Sequence, residues 1–278
     1  MQKKSFIKNI FAGIHKRLKK PINPYKEVNL NWLTLKYYKH LPPGKLRRHR
    51  MLGKNLYFNS APELLHGLKE IFIDKTYQQQ LPQNPYIIDC GANIGLSIIY
   101  IKENHPTAQI VAFEPDENNF TLLSKNIDSF GYKDVIIRKE AVWTKNTLLR
   151  FSNEGSMSSK IETGQQTNAK QVAAIRLKDL LDKPVDFLKI DIEGAEFEVM
   201  CDLDEKLSFV KNLFLEYHGS FEQTPQLTKL FAILSKNGFS YYIKEATSIY
   251  KTPFTKRKDY LIPYDIQLNI FCFRDSTT

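Results

Sequence analysis

A short apolar run followed by a glycine-containing turn is the part of this sequence best suited to hold a small ligand. The turn is Asp89-Cys-Gly-Ala-Asn-Ile-Gly95. Gly91 and Gly95 have no Cβ, so the backbone there can turn sharply and approach a bound molecule closely. An apolar segment with helical spacing begins at Leu96, and the combination predicts a strand that leads into a helix.

A second apolar run ends in Glu114, and an acid at the tip of a second strand can accept hydrogen bonds from both hydroxyls of a ribose. The glycine turn lacks the middle glycine of the dinucleotide fingerprint, and the carboxylate of Asp89 would repel a diphosphate. The same carboxylate would attract the ammonium and sulfonium groups of S-adenosylmethionine. The pattern therefore favours that cofactor, and a tight turn without a ligand is the alternative.

A related constellation occurs at Lys189-Ile-Asp-Ile-Glu-Gly-Ala-Glu196, where an apolar run ends in acids and a glycine begins a helix. Strand alternation places Lys189 and Asp191 on one face, and it places Glu216 and His218 together on the next run. Ligands of open α/β sheets bind at the carboxyl ends of the strands. We therefore expect one edge of the sheet to gather six polar side chains, namely Asp89, Glu114, Asp191, Glu193, Glu216 and His218.

The chemistry of this edge depends most on His218, the only histidine after residue 105. A neutral imidazole can take the proton of a substrate hydroxyl as that oxygen attacks a methyl group, and a purely structural histidine is the alternative. The acids and His218 could instead hold Mg²⁺ or Mn²⁺, which prefer oxygen ligands, although we expect no metal. Buried carboxylates that pair with Lys189 are a third interpretation.

Apolar runs alternate with segments of helical spacing along the rest of the chain. Strands are predicted at residues 86–89, 109–113, 135–138, 148–151, 172–175, 187–191, 212–217, 241–243 and 267–273. Helices are predicted at residues 96–103, 118–130, 195–202 and 225–237. This order indicates an α/β fold with a mostly parallel sheet and an antiparallel pair of strands at the end. The polar stretch 152–171 predicts a flap or hairpin loop.

The positive charge of the chain is concentrated near its start. The 278 residues have a formal net charge of +10, and residues 1–50 hold 14 Lys/Arg and one acid, Glu27. The remaining residues hold 26 Lys/Arg and 29 Asp/Glu and are slightly acidic. No apolar run approaches the roughly 20 residues that span a bilayer. Three scattered cysteines and the lack of a secretory signal predict a reduced, cytoplasmic protein.

Residues 1–20 have the pattern of a basic amphipathic helix, with apolar residues at helical spacing and lysines mostly on the other face. Such a helix can contact an anionic membrane surface at its periphery, bind nucleic-acid phosphates, or dock on its own domain. A second basic cluster at residues 45–50 follows Pro42-Pro43-Gly44, which predicts a linker. All three roles for the helix stay open.

Four motifs together closely resemble the FkbM family of methyltransferases. They are Asp89-Cys-Gly-Ala-Asn-Ile-Gly95, Phe113-Glu-Pro115, Lys189-Ile-Asp-Ile-Glu-Gly-Ala-Glu196 and Glu216-Tyr-His218. The resemblance covers residues 56–274 and implies a Rossmann-like class I methyltransferase fold, with a seven-stranded, mostly parallel sheet and an antiparallel last strand. We accordingly expect a basic N-terminal arm and linker at residues 1–50 and a methyltransferase domain at residues 51–278.

The resemblance also implies roles for individual residues. Those that would surround the methionine part of S-adenosylmethionine are Asp89, Gly91, Asn93 and Gly95. Glu114 would hold the ribose, and Glu140 and Ala141 would lie near the adenine. Those that would face the methyl group and its acceptor are Asp191, Glu193, Glu216 and His218.

Members of this family methylate hydroxyl oxygens, including those of sugars and macrolides. The resemblance therefore implies an S-adenosylmethionine-dependent O-methyltransferase for a saccharide, glycolipid or related natural product. Two other functions stay open. The basic arm would suit a nucleic-acid methyltransferase, although the core lacks an Asn-Pro-Pro-Tyr-like motif and an aromatic-rich basic patch. A non-catalytic protein that kept the cofactor-binding fold is the other.

Overall fold

A computed structural model describes residues 23–151, 161–162, 170–255 and 263–274. The chain divides into two compact units, and the division falls after Thr76. The predicted amphipathic helix at residues 1–20 lies outside the described residues. Within the described ranges, no helix combines the length and hydrophobicity that crossing a membrane would require.

The first unit contains short helices and one β-hairpin. Its elements are a 3₁₀ turn (Pro24–Val28), α1 (Trp32–Tyr38), β1 (Arg47–Met51), β2 (Lys54–Phe58), α2 (Ala61–Gly67) and a π-helical segment (Leu68–Ile73). Residues 47–50, predicted to lie in a linker, form strand β1 instead. The reason is the turn at Leu52 and Gly53, because both residues have positive φ (52° and 75°), as tight hairpins require.

The second unit is built on a seven-stranded sheet. Its strands are β3 (Tyr86–Cys90), β4 (Gln109–Phe113), β5 (Val135–Arg138), β10 (Val185–Ile190), β11 (Val210–Gly219), β12 (Ser240–Glu245) and β13 (Ile266–Phe273). Their order across the sheet is β12-β13-β11-β10-β3-β4-β5. Strands β5, β4, β3, β10 and β11 are parallel, while β13 runs antiparallel to both neighbours. The predicted mostly parallel sheet with a reversed last strand is confirmed.

Helices connect these strands close to their predicted positions. They are α3 (Leu96–Asn104), α4 (Glu117–Phe130), α5 (Glu196–Leu203) and α6 (Thr224–Lys236). Helix α4 shows why the bounds are readable from sequence: the Asp116 side chain caps its first backbone N–H groups, and Gly131, with a φ of 75°, ends it. Apolar side chains of α5 and α6 pack with those of β10 and β11 into the core of this unit.

Strands β6 (Ala141–Trp143), β7 (Thr147–Phe151), β8 (Ile161–Glu162) and β9 (Lys170–Arg176) form a smaller sheet with the order β6-β9-β7-β8. The polar flap predicted at 152–171 includes parts of this sheet, because residues 161–162 and 170–171 are strands. Those residues pair with the end of β7, so pairing with a neighbouring strand outweighs their polar composition. Residues 152–160 and 163–169 of the predicted flap lie outside the described residues.

Candidate active site

The carboxyl ends of β3 and β10 touch through their backbones. The N–H of Asp191 donates to the carbonyl of Cys90 over 3.1 Å. Gly91 has a φ of 83°, and a Cβ placed on it would lie 1.8 Å from the carbonyl oxygen of Asp191. Glycine is required at this position because another protein loop fills the space that a side chain would need.

Glu114 fixes the glycine turn to the end of β4. Its Oε2 accepts from the N–H of Asn93 over 2.8 Å, and its Oε1 accepts from the N–H of Asp116 over 2.9 Å. The side chain is buried, and burial raises the pKa of Glu114 to about 7 even though these two N–H groups act to lower it. Asn93 itself has the left-handed conformation, with a φ of 49°.

Asp89 lies beneath the turn rather than at its surface. Its side chain has no exposed area, Oδ2 accepts from the hydroxyl of Ser97 over 2.5 Å, and Oδ1 is 3.3 Å from Nζ of Lys189. The next residue, Cys90, is also fully buried, and burial raises the pKa of its thiol. These contacts give Asp89 a structural role, and its predicted contact with the methionine part of the cofactor stays a prediction.

Lys189 connects its own motif, residues 189–196, to the glycine turn at residues 89–95. Nζ is 3.3 Å from Asp89 and 3.3 Å from Oδ2 of Asp191, and it donates to the carbonyl of Gly91 over 2.8 Å. Burial would lower the pKa of Lys189, but the two carboxylates hold it well above its usual value. The expectation that Lys189 and Asp191 share a face is confirmed.

His218 is held from one side by a buried glutamate. Its Nδ1 lies 3.2 Å from Oε1 of Glu196, and both residues are almost completely buried. Glu196 is itself fixed, because its carboxylate accepts from the backbone N–H groups of Ile192 and Gly194 over 3.1 and 2.9 Å. A carboxylate on Nδ1 orients the imidazole and directs Nε2 away from Glu196.

Nε2 of His218 points toward two further acids and an amide. It is 3.7 Å from Glu193, 3.5 Å from Glu216 and 3.2 Å from Nε2 of Gln267. Burial would lower the pKa of His218, but Glu196, Glu216 and Glu193 together hold it well above 6.5. The side-chain amide of Gln267 donates one hydrogen to Glu216 over 2.7 Å. Its second hydrogen can be donated to Nε2 of His218 when the imidazole is neutral.

Glu193 occupies a strained position beside His218. It has a φ of 59°, which is uncommon for a residue with a side chain. The hydroxyl of Tyr264 donates to its carbonyl over 2.9 Å, and the ring of Tyr264 lies 4.7 Å from that of His218. Burial raises the pKa of Glu193 to about 8 although His218 acts to lower it. We call His218 and its three carboxylate neighbours, Glu193, Glu196 and Glu216, the His218 cluster. This cluster therefore takes up a proton at neutral pH.

A metal ion is the alternative way to balance these carboxylates. Asp191, Glu193 and His218 each offer one ligand atom, and these atoms lie within 4.8 Å of one another. Lys189 already pairs with Asp191, and Gln267 already contacts Nε2 of His218. A cation would therefore have to compete with partners that are in place.

The two residues expected near the adenine lie past the end of β5. Glu140 accepts from Nε and Nη2 of Arg138 over 2.5 and 3.0 Å. Ala141 is buried and begins β6, in the smaller sheet. Gly95 immediately precedes α3 and has a φ of 92°, and a Cβ on it would come within 2.8 Å of Leu123. Their roles toward the cofactor stay predictions.

Sequence reasoning gave no role to three residues that contact the predicted site, namely Glu196, Tyr264 and Gln267. Glu196 could have been found, because it is the last residue of the motif that contains Asp191 and Glu193. Gln267 could not, since it reaches His218 only because β13 pairs with β11 so that the two residues lie opposite each other. Tyr264 precedes β13 and depends on the same pairing.

The strand order of the seven-stranded sheet and its reversed β13 define the class I methyltransferase fold. The sequence model of the methyltransferase FkbM domain matches residues 89–241, which is more than half of the chain. The chain belongs to this FkbM methyltransferase family, and its cofactor is S-adenosylmethionine.

Two curated proteins and one solved structure are similar to this chain. Methyltransferase sdnD of Sordaria araneosa is 32% identical over 210 residues, which cover 62% of this chain and 80% of sdnD. The 31-O-demethyl-FK506 methyltransferase FkbM of Streptomyces tacrolimicus is 23% identical over 230 residues, which cover 68% of this chain and 86% of that protein. The crystal structure of methyltransferase FkbM from Methylobacillus flagellatus superposes with a TM-score of 0.47 at 15% identity, over 71% of this chain and 45% of that one.

Proposed function

We propose that this enzyme transfers the methyl group of S-adenosylmethionine to a hydroxyl oxygen of a saccharide, a glycolipid or a related natural product. The observation that carries the proposal is the buried pair of Glu196 and His218, with Nδ1 of the imidazole fixed 3.2 Å from the carboxylate. A histidine held in this way can remove the proton of an alcohol. The name of the relative that acts on 31-O-demethyl-FK506 supports an oxygen acceptor.

The donor site is assigned to the turn after β3 and to Glu114. Each carboxylate oxygen of Glu114 has one backbone N–H partner, so lone pairs remain for two ribose hydroxyls. Asp89 and Asp191 both pair with Lys189, so two carboxylates and one ammonium leave a net negative charge near the turn, which suits the ammonium and sulfonium groups of the cofactor. Asn93 and Gly95 complete the turn, while Glu140 and Ala141 are assigned to the adenine side.

When bound, S-adenosylmethionine supplies a methyl group on a positively charged sulfur, which is a good leaving group. His218 would accept the proton of the acceptor hydroxyl at Nε2, in place of the contact that Gln267 makes there, and so ready that oxygen for methylation. Glu196 holds the imidazole in the required tautomer and stabilises the imidazolium that forms. Asp191, Glu193 and Glu216 line the acceptor side and hold the proton-accepting cluster in place.

An acceptor screen with the purified enzyme tests this function. We expect transfer of the labelled methyl group of S-adenosylmethionine to the hydroxyl of a sugar or lipid-linked saccharide, and a methyl ether in the product. We expect turnover to survive chelation by EDTA within about twofold, because a proton on the cluster replaces the charge of a metal. Methylation of RNA or DNA, or cofactor binding without transfer to any hydroxyl, would contradict the proposal.

Glu114 predicts a pH dependence of donor binding. Its carboxylate can accept from both ribose hydroxyls only when it is deprotonated, and burial raises its pKa to about 7. Affinity for S-adenosylmethionine should therefore fall as the pH is lowered through this value, by about tenfold between pH 8 and pH 6. Isothermal titration calorimetry at several pH values measures this dependence.

Glu114→Gln should bind the donor more weakly than the wild type, and its affinity should change little between pH 6 and pH 8. Glu117→Gln is the matched control, because Glu117 is half-exposed at the start of α4 and pairs with Lys139. This control should keep the wild-type pH dependence. If Glu114→Gln keeps both the wild-type affinity and its pH dependence, Glu114 does not hold the ribose.

A further inference from the structure

The outer face of α1 in the first unit carries large apolar side chains on the surface of the molecule. Trp32 is 69% exposed, Leu33 is 68% exposed and Tyr37 is 63% exposed. At about 100° per residue, these three side chains share an arc of roughly 140°. Lys36 and Lys39 lie on or next to the same arc, and both are exposed. We call these five residues the α1 face.

The α1 face is fixed in orientation by the opposite side of the helix. Tyr38 is buried, its hydroxyl lies 3.1 Å from Nδ1 of His49 in β1, and its ring centroid lies 5.5 Å from that of Phe58 in β2. Asn31 caps the helix by accepting from the N–H of Thr34 over 2.8 Å. The helix is thus held on the hairpin and presents its apolar and basic residues outward.

The sequence that contains α1 and the hairpin is basic. Residues 28–62 contain no Asp or Glu, and they contain seven Lys/Arg. Apart from Lys36 and Lys39, most of these bases are exposed on or next to the hairpin. Burial lowers the pKa of His49, so this histidine stays neutral and the basic charge comes from Lys and Arg. An anionic partner therefore suits this face.

We propose that the α1 face docks on the surface of an anionic phospholipid bilayer. Trp and Tyr suit the headgroup region because one end of each ring is polar, while Leu33 can enter the acyl boundary. Nζ of Lys36 lies 5.6 Å from the ring centroid of Trp32, so the ammonium is held where lipid phosphates would lie. An oligonucleotide could stack on the aromatic rings and pair its phosphates with the lysines, whereas a bilayer also provides an extended apolar layer for Leu33.

The fluorescence of Trp32 tests the contact directly. The chain has two tryptophans, so the full-length Trp143→Phe variant retains Trp32 alone. With vesicles of equal parts phosphatidylglycerol and phosphatidylcholine, we expect its emission to shift to the blue and brominated acyl chains to quench it. Vesicles of phosphatidylcholine alone should give a much smaller change. Equal responses to the two vesicles, or no quenching, would overturn the proposal.

Two variants test the chemistry of the face by cosedimentation with the same vesicles. Lys36→Gln combined with Lys39→Gln should lower the partition coefficient about 25-fold, since each basic side chain near an anionic membrane surface strengthens binding about fivefold. Replacing Trp32, Leu33 and Tyr37 by Ser should lower it at least as much. Wild-type binding by either variant would assign the contact to another part of the chain and overturn the proposal.

The matched control replaces comparably exposed apolar residues of the second unit by Ser, namely Ile136, Leu148 and Tyr242. This control should bind vesicles like the wild type. All variants should keep the wild-type affinity for S-adenosylmethionine, which calorimetry verifies. If an RNA oligonucleotide binds more tightly than the vesicles and displaces them, the face binds nucleic acid and the proposal is wrong.

Discussion

Replacing His218 by Gln should reduce turnover by roughly a hundredfold to ten-thousandfold, the usual contribution of a general base. Affinity for S-adenosylmethionine should change little, because His218 is assigned to the acceptor and not to the donor. Steady-state kinetics with the acceptor and calorimetry with the donor separate the two quantities. The expected signature is a lower kcat at nearly constant donor affinity.

His105→Gln is the control for this substitution. It lies at the end of α3 in the same unit, and no catalytic role is assigned to it. Its turnover should stay within about twofold of the wild type. A His218→Gln enzyme that keeps wild-type turnover would remove His218 from the mechanism and leave the acceptor proton to another group.

Glu196→Gln extends the same prediction to the residue that positions His218. Glu196 is the largest of the carboxylate contributions that raise the pKa of His218, so its removal lowers that pKa. A base must be deprotonated to act, so turnover should rise with pH, and the midpoint of this rise should lie at the pKa of the His218 cluster. In Glu196→Gln this midpoint should move to lower pH while kcat falls. A lower kcat with an unchanged midpoint would indicate loss of structure alone.

The second large effect concerns the buried pair of Asp89 and Lys189. Asp89→Ala should lower the free energy of unfolding by about 3 to 5 kcal/mol, because it leaves the Lys189 ammonium buried with Asp191 as its remaining carboxylate partner. Lys189→Met should have a similar cost, since it leaves Asp89 charged and without exposed surface. Urea denaturation measures both values.

The double variant with Asp89→Ala and Lys189→Met tests whether the two residues act as a pair. It should be destabilised by clearly less than the sum of the single variants, because neither charge is then left alone. The matched control is Lys139→Met, which breaks the half-exposed ion pair with Glu117 and should cost under about 1 kcal/mol. If the two single changes in the free energy of unfolding simply add up in the double variant, Asp89 and Lys189 do not stabilise the fold as a pair.

Much of the second unit could be predicted because its strands and helices follow simple periodicities. The predicted strands at residues 109–113 and 135–138 match β4 and β5, and helix α4 begins and ends at the residues that cap it. The first unit could not be predicted in the same way. Its basic residues suggested a linker, yet β1 forms because two left-handed residues close a hairpin and alternate residues of the strand are buried.

In the candidate site, too, contacts between residues close in the sequence could be predicted, and contacts between distant residues could not. Alternation along β10 was enough to place Lys189 beside Asp191. The contacts of His218 were not predictable in this way, because Gln267 is 49 positions away and meets it through strand register. The burial of Asp89 was also missed, since a sequence cannot show that Lys189 from another strand would occupy the space beside it.

The close approach of Gly91 to Asp191 has a consequence for engineering within this family. The turn after β3, which we propose holds the donor, and the loop after β10, which we propose faces the acceptor, meet backbone to backbone, with no side chain of Gly91 between them to absorb a change in shape. A chimera that exchanges one of these loops with a homologue would therefore disturb the other. Designs that aim to change the acceptor should transplant both loops as a single cassette.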